Sequence, residues 1–156
     1  MSETRIVSEV YKVDSNIGSV YSFLSDFNRI GTMVNMAKQS GMMPGEANRL
    51  AEMVEDVRFA EDSCTLQIKG LGEVTIGIVE KVEPALIKLQ NSAGLPFDVT
   101  LWIQLLENGP YDTRLKLTLA AELNMMMKML LKGKLEKGIE ELAKGLSKIP
   151  YMMLTK

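Results

Sequence analysis

Near the end of the chain the apolar residues Met127, Leu131, Leu135, Ile139, Leu142, Leu146 and Ile149 advance by steps of four, four, four, three, four and three. Those steps place side chains on one face of an α-helix. Lys128, Lys132, Glu136, Lys137, Glu140, Lys144 and Lys148 take the other side, and Pro150 supplies a stop. A helix this long and one-sided has to lie on an apolar surface supplied by the rest of the chain.

The preceding residues have the pattern of such a surface. From Val54 the period is two: Val57 and Phe59, then Cys64, Leu66 and Ile68, then Val74, Ile76 and Ile78. Gly70-Leu71-Gly72 reads as a hairpin connection, Glu83-Pro84 ends a strand, and Leu86 to Asn91 forms another. Phe97, Val99, Leu101, Ile103 and Leu105 alternate with Asp98, Thr100, Trp102 and Gln104. Leu115, Leu117 and Leu119 alternate with Arg114, Lys116 and Thr118. Each strand has one apolar face and one wet one, the signature of an antiparallel sheet covered on a single side. Upstream, Thr4 to Val13 reads as a first strand, ended by Asp14, Ser15 and Asn16. Ser15 or Asn16 is placed to cap a short helix carrying Val20, Phe23, Leu24 and Phe27. Ile30, Met33, Val34 and Ala37 suggest a second helical piece before a loop at Gly41 to Gly45.

The whole is read as one α+β domain over residues 1–156: a curved antiparallel sheet wrapped around a long C-terminal helix, with two short helices after the first strand. A chain of 156 residues can build one real core. It has no His and a single Cys, which excludes His-based triads, His-bearing zinc sites and internal disulfides, so no metal or cofactor is expected. The net charge of −2 gives no reason to expect nucleic acid as partner. Neither a membrane span nor a secretion signal is visible, so a cytoplasmic location is expected. Charge is uneven, with six acids against Arg49 and Arg58 in Glu46 to Asp62, and six Lys against three Glu in Lys128 to Lys148.

This order of elements, with Asn16 to Asp26 (NIGSVYSFLSD), the strand end Val79 to Pro84 (VEKVEP), and a strand running through Leu123 into a Met-rich helix, resembles the START-like (SRPBCC) superfamily. That group includes birch pollen allergen-like, polyketide cyclase/dehydrase and lipid-transport proteins. The resemblance implies a helix-grip fold with an apolar cavity between the concave sheet and the C-terminal helix. It implies a small hydrophobic, lipid-like or polyketide-like molecule as ligand.

On that basis the expected cavity wall is Ile76, Ile78, Val99, Leu101, Ile103, Leu117, Leu119, Met127, Leu131 and Leu135; from periodicity alone these residues say only that there is a core. Twelve Met make a plastic pocket reasonable, with Met36, Met42 and Met43 at its mouth. Gly133, Gly138 and Gly145 interrupt the helix and are read as allowing close packing or a bend. Asp26, Glu73, Glu80, Tyr11, Tyr21 and Arg114 are the available acid–base groups, yet none forms a forced pair, so no catalytic residue is assigned. Cys64 reads as a small buried hydrophobe. Trp102 falls on the outer face, where it would suit a partner or a homodimer. The first expectation is a non-enzymatic binder or carrier of a small hydrophobic ligand. The alternatives are a cyclase- or aromatase-like enzyme, which needs a buried ionisable group on the pocket wall, and a protein-interaction module like the START-like activators of the Hsp90 chaperone.

Overall fold

Strands with one apolar face satisfy their backbone by pairing with sequence neighbours, and here the first strand closes on the last. The computed structural model describes residues 2–32, 54–68, 72–95 and 97–154. The elements are β1 (Ser2–Val7), β2 (Tyr11–Val13), α1 (Ile17–Leu24), β3 (Val54–Phe59), β4 (Ser63–Ile68), β5 (Gly72–Val82), β6 (Leu86–Ala93), β7 (Val99–Gly109), β8 (Asp112–Leu123), α2 (Met125–Ser147) and α3 (Tyr151–Leu154). Residues 27–32 are also helical. The strands form one sheet in the order β1-β8-β7-β6-β5-β4-β3, with β2 also beside β8. All pairings described are antiparallel.

Register decides which side chains share the inner face. Leu89 faces Leu101, which faces Leu119; Ile87 faces Ile103, which faces Leu117. These rows are the floor of the core, and Ile87, Leu115 and Leu117 are fully buried. Burial of each such side chain contributes roughly 1.5–3 kcal/mol.

The opening strand is not the single run Thr4 to Val13 expected from sequence. Val7 pairs with Thr118 and Tyr11 with Leu115, so four steps on one side meet three on the other. The extra residue makes a bulge, satisfied by Ser8: its N–H donates to the Leu117 carbonyl at 2.8 Å, and its Oγ accepts from the Leu117 N–H at 2.9 Å. β6 also runs on to Ala93, past Asn91. Gly94 follows at φ +96°, where an added Cβ would sit 2.0 Å from the Glu73 carbonyl oxygen, so only glycine fits this turn.

Both main helices start at an asparagine. The Asn16 Oδ1 accepts from the Ser19 N–H at 2.7 Å, and the Asn124 Oδ1 accepts from the Met127 N–H at 2.8 Å. Ser15, the other cap candidate, is buried, and its carbonyl accepts from the Thr113 hydroxyl. The cap at Asn124 turns the chain directly from β8 into α2, which packs on β8, β1 and β2.

Only part of α2 grips the sheet. Ile139 and Ala143 are buried, whereas Met125, Met126, Met129 and Leu130 are 66–82% exposed. The stripe expected to run from Met127 to Ile149 is fully buried only at Ile139, its other members being half-buried, and Ile149 lies beyond the helix, which ends at Ser147. Beyond Pro150, α3 returns to the core through Tyr151. Its ring meets Phe23 of α1 edge-on at 5.4 Å and its hydroxyl donates to the Leu146 carbonyl at 2.6 Å.

Two further expectations change. Gly133, Gly138 and Gly145 allow no close approach, because an added Cβ at each would meet nothing within 4 Å. Trp102 does lie on the outer face but is half-buried, not bare: the Arg5 guanidinium lies 5.1 Å and the Lys88 ammonium 5.7 Å from its ring centre. Lys88 is its direct cross-strand neighbour in β6, which is why the cation reaches the ring.

Candidate functional site

Where α2 stands off the sheet a cleft of about 280 Å³ remains. From the sheet it is lined by Ile76, Leu89, Val99, Leu101 and Leu119, and from α2 by Leu135, Gly138, Ile139 and Leu142. Gln90, Asn91, Leu95 and Lys134 complete the described lining. The gap follows from the pattern of side chains. Gly138 contributes none, and Ile76, Val99, Leu101, Leu135 and Leu142 are only half-buried, while the neighbouring Ile103 and Leu117 are packed shut.

The cleft brings together Ile76, Val99, Leu101, Leu119 and Leu135 from the sequence-derived wall. Ile103 and Leu117 lie in closed core, Ile78 packs half-buried against that core, and Met127 and Leu131 are half-buried without lining the cleft. The mouth residues Met36, Met42 and Met43 lie outside the described residues, as do the Gly70-Leu71 part of the hairpin and the Met33 to Gly45 stretch. Sequence reasoning did not assign Leu89, Gln90, Asn91, Leu95, Lys134, Gly138, Ile139 or Leu142 to the cavity wall. Leu89 and Asn91 carried a usable signal, the alternation of β6, once its register against β7 is known.

The polar groups of the lining are mostly committed. The Asn91 amide nitrogen donates to the Phe97 carbonyl at 3.1 Å and its Oδ1 accepts from the Val99 N–H at 2.8 Å, so this side chain ties the β6–β7 connection across the end of the cleft. The Gln90 amide donates to the Thr100 hydroxyl at 3.2 Å. No carboxylate is among the described lining residues.

The candidate acid–base groups are used elsewhere. Asp26 accepts from the Asn28 N–H at 2.9 Å, Glu73 pairs with Arg58 at 2.7 Å, Arg114 pairs with Asp112 at 3.0 Å, and Glu80 is exposed. Tyr21 is buried, which pushes its phenol up. Cys64 is buried, and burial pushes its thiol up to about 11, well away from a reactive thiolate. Among the described residues no group of three His, Cys, Asp or Glu is placed to hold a metal, and no helix is long and apolar enough to cross a membrane.

Tyr11 and Glu140 hold the site in shape from behind. The Glu140 carboxylate accepts from the Glu9 N–H at 2.8 Å and from the Tyr11 hydroxyl in a short bond. This fastens α2 to the bulged first strand, one residue beyond Ile139. The bond to Glu140, then burial, then the charges of Glu140 and Glu9 push the Tyr11 phenol up to about 12. A raised folded value means the fold favours the protonated phenol. Its contribution is whole below pH 10, the unfolded value, and is lost as pH climbs from 10 to about 12. Urea midpoints measured from pH 8 to 12 are expected to show Tyr11→Phe about 1–2 kcal/mol less stable at pH 8. The gap should close toward pH 12, and parallel profiles for the two proteins would remove the bond from this role.

Neither a family model nor a curated protein matches the sequence. Solved structures do. Norcoclaurine synthase from Thalictrum flavum superposes with a TM-score of 0.65 at 13% identity, covering 94% of this chain and 86% of that one. A START superfamily protein from Mycobacterium smegmatis gives 0.55 at 18% identity, covering 92% and 94%. A protein from Thermus thermophilus gives 0.60 at 16%, covering 99% and 100%. The chain has the START-like, helix-grip fold. At these identities the likeness extends to the fold alone, and a START-like fold carries many functions. The cleft of this chain combines an apolar floor, a glycine in the roof, and Lys134 on the same helix.

Proposed function

We propose that the protein binds one small hydrophobic or amphipathic molecule between the sheet and α2, as a binder or carrier and not as a catalyst. The observation that carries this reading is the cleft of about 280 Å³ whose sheet and helix walls are almost wholly apolar. Such a volume lies near the lower end of small-molecule pockets. Apolar wall left facing water gains roughly 25 cal/mol per Å² when a ligand covers it. The fold gives general support, since one solved norcoclaurine synthase is a complex with dopamine and hydroxybenzaldehyde. A cyclase-type reaction would need a buried ionisable group on the wall, and the one ionisable residue in the described lining, Lys134, is exposed.

The test is native mass spectrometry of the protein purified from its own host, followed by denaturing extraction and thermal shift with fatty acids, sterols and polyketides. A hydrophobic small molecule at one per chain is the expected result. At a hundred times its dissociation constant that ligand should add about 2.7 kcal/mol. In a domain of this size the gain corresponds to roughly 5–10 °C in Tm. A bare chain that gains nothing from any member of the panel would overturn the proposal.

A further inference from the structure

The cleft is apolar on its walls but has one cation in its lining. Lys134 is the only charged residue among the described lining residues, and neither a salt bridge nor a hydrogen bond joins its side chain to another described residue. Its own helix cannot neutralise it. The positions one turn away in either direction are Leu130, Leu131, Lys137 and Gly138, so no carboxylate stands at the i±3 or i±4 spacings that pair on a helix. The other polar side chains of the lining offer little to an anion. Both ends of the Asn91 amide are engaged, and the Gln90 amide nitrogen already donates to Thr100.

We infer that the cleft selects an amphiphile with one anionic head, a single-chain carboxylic acid, whose carboxylate is held by the Lys134 ammonium while its tail lies between Leu101, Leu119 and Leu135. This rests on the cleft being a ligand site, as proposed above, and adds the chemical class. A lysine suits the position because its four-carbon stem can lie along apolar surface with the charged end at the edge. An ammonium donating to a carboxylate there is charge-assisted, and the solvent-exposed location makes it a selector of head groups more than the main source of affinity.

Calorimetric titration at pH 8 with decanoic acid, methyl decanoate and decylamine separates the two ideas, using the full chain and the variants Lys134→Gln and Lys134→Glu. The parent protein should bind the acid roughly two- to fivefold more tightly than the ester, the ratio given by one solvent-exposed ion pair. Lys134→Gln should bind acid and ester alike, near the affinity of the parent for the ester, with the unliganded Tm unchanged. Lys134→Glu should prefer decylamine over the acid. Equal binding of acid and ester by the parent would overturn the role of Lys134 and leave the cleft reading intact. Failure of the parent to bind any of the three probes would overturn both.

Discussion

Tyr151→Ala is expected to lower folding stability by about 3–5 kcal/mol, the range for removing a large aromatic side chain from a packed core. Tyr151 is fully buried, stands edge-on to Phe23 at 5.4 Å with an interplanar angle of 76°, and donates its hydroxyl to the Leu146 carbonyl at 2.6 Å. Burial also pushes its phenol far up, so it stays neutral through the working pH range. The residue thus joins the last turn of α2 to α1, and through α1 to the sheet. A loss of that size is a large part of the 5–15 kcal/mol typical of a whole domain. Tyr151→Phe keeps the ring and should lose about 1 kcal/mol, the net value of one hydrogen bond. Urea unfolding of both variants provides the check. A loss below 1 kcal/mol for Tyr151→Ala would mean that α3 is not part of the cooperative core.

Nothing in the periodicity of the sequence pointed to Tyr151. Pro150 was legible as the end of a helix, and the four residues of α3 that follow are too short to show a period. The strands were legible for the opposite reason. Val99 to Leu105 and Leu115 to Leu119 are long, alternating and β-branched or leucine-rich, so face and neighbour both followed from the pattern. The bulge at Ser8 was not legible, since it arises from the count of residues on a distant partner strand and not from local composition. The site was legible to the same depth. Its apolar walls could be named from alternation, but whether a given leucine closes against the helix, as Leu117 does, or faces a gap, as Leu101 does, depends on how far α2 stands off the sheet. Lys134 was hidden by its company, one cation within a run of six lysines, distinguished only by which turn of the helix it occupies.

That stand-off can be probed at the glycine in the roof of the cleft. Gly138→Leu is expected to make the protein more stable and at the same time nearly unable to bind the small molecule proposed for the cleft. The stability gain comes from the helix, because leucine replaces glycine in a helix interior at a benefit of roughly 0.5–1 kcal/mol. The Cβ of the new residue has room, since an added Cβ meets nothing within 4 Å. In a domain of this length that gain corresponds to a Tm higher by about 2–4 °C. Binding is lost because the new side chain grows into the space that Gly138 lines, beside Leu135 and Leu142, and takes up part of the 280 Å³ available. Even a partial clash of this kind should weaken affinity by tenfold or more, about 1.4 kcal/mol. Gly133→Leu is the matched control, because Gly133 is in the same helix with the same open surroundings but does not line the cleft. It should show a similar rise in Tm with unchanged binding. Equal ligand affinity in Gly138→Leu and Gly133→Leu would place the bound molecule somewhere other than between the sheet and α2. A tenfold separation between them would place it beneath residue 138, which lines the cleft while residue 133 does not.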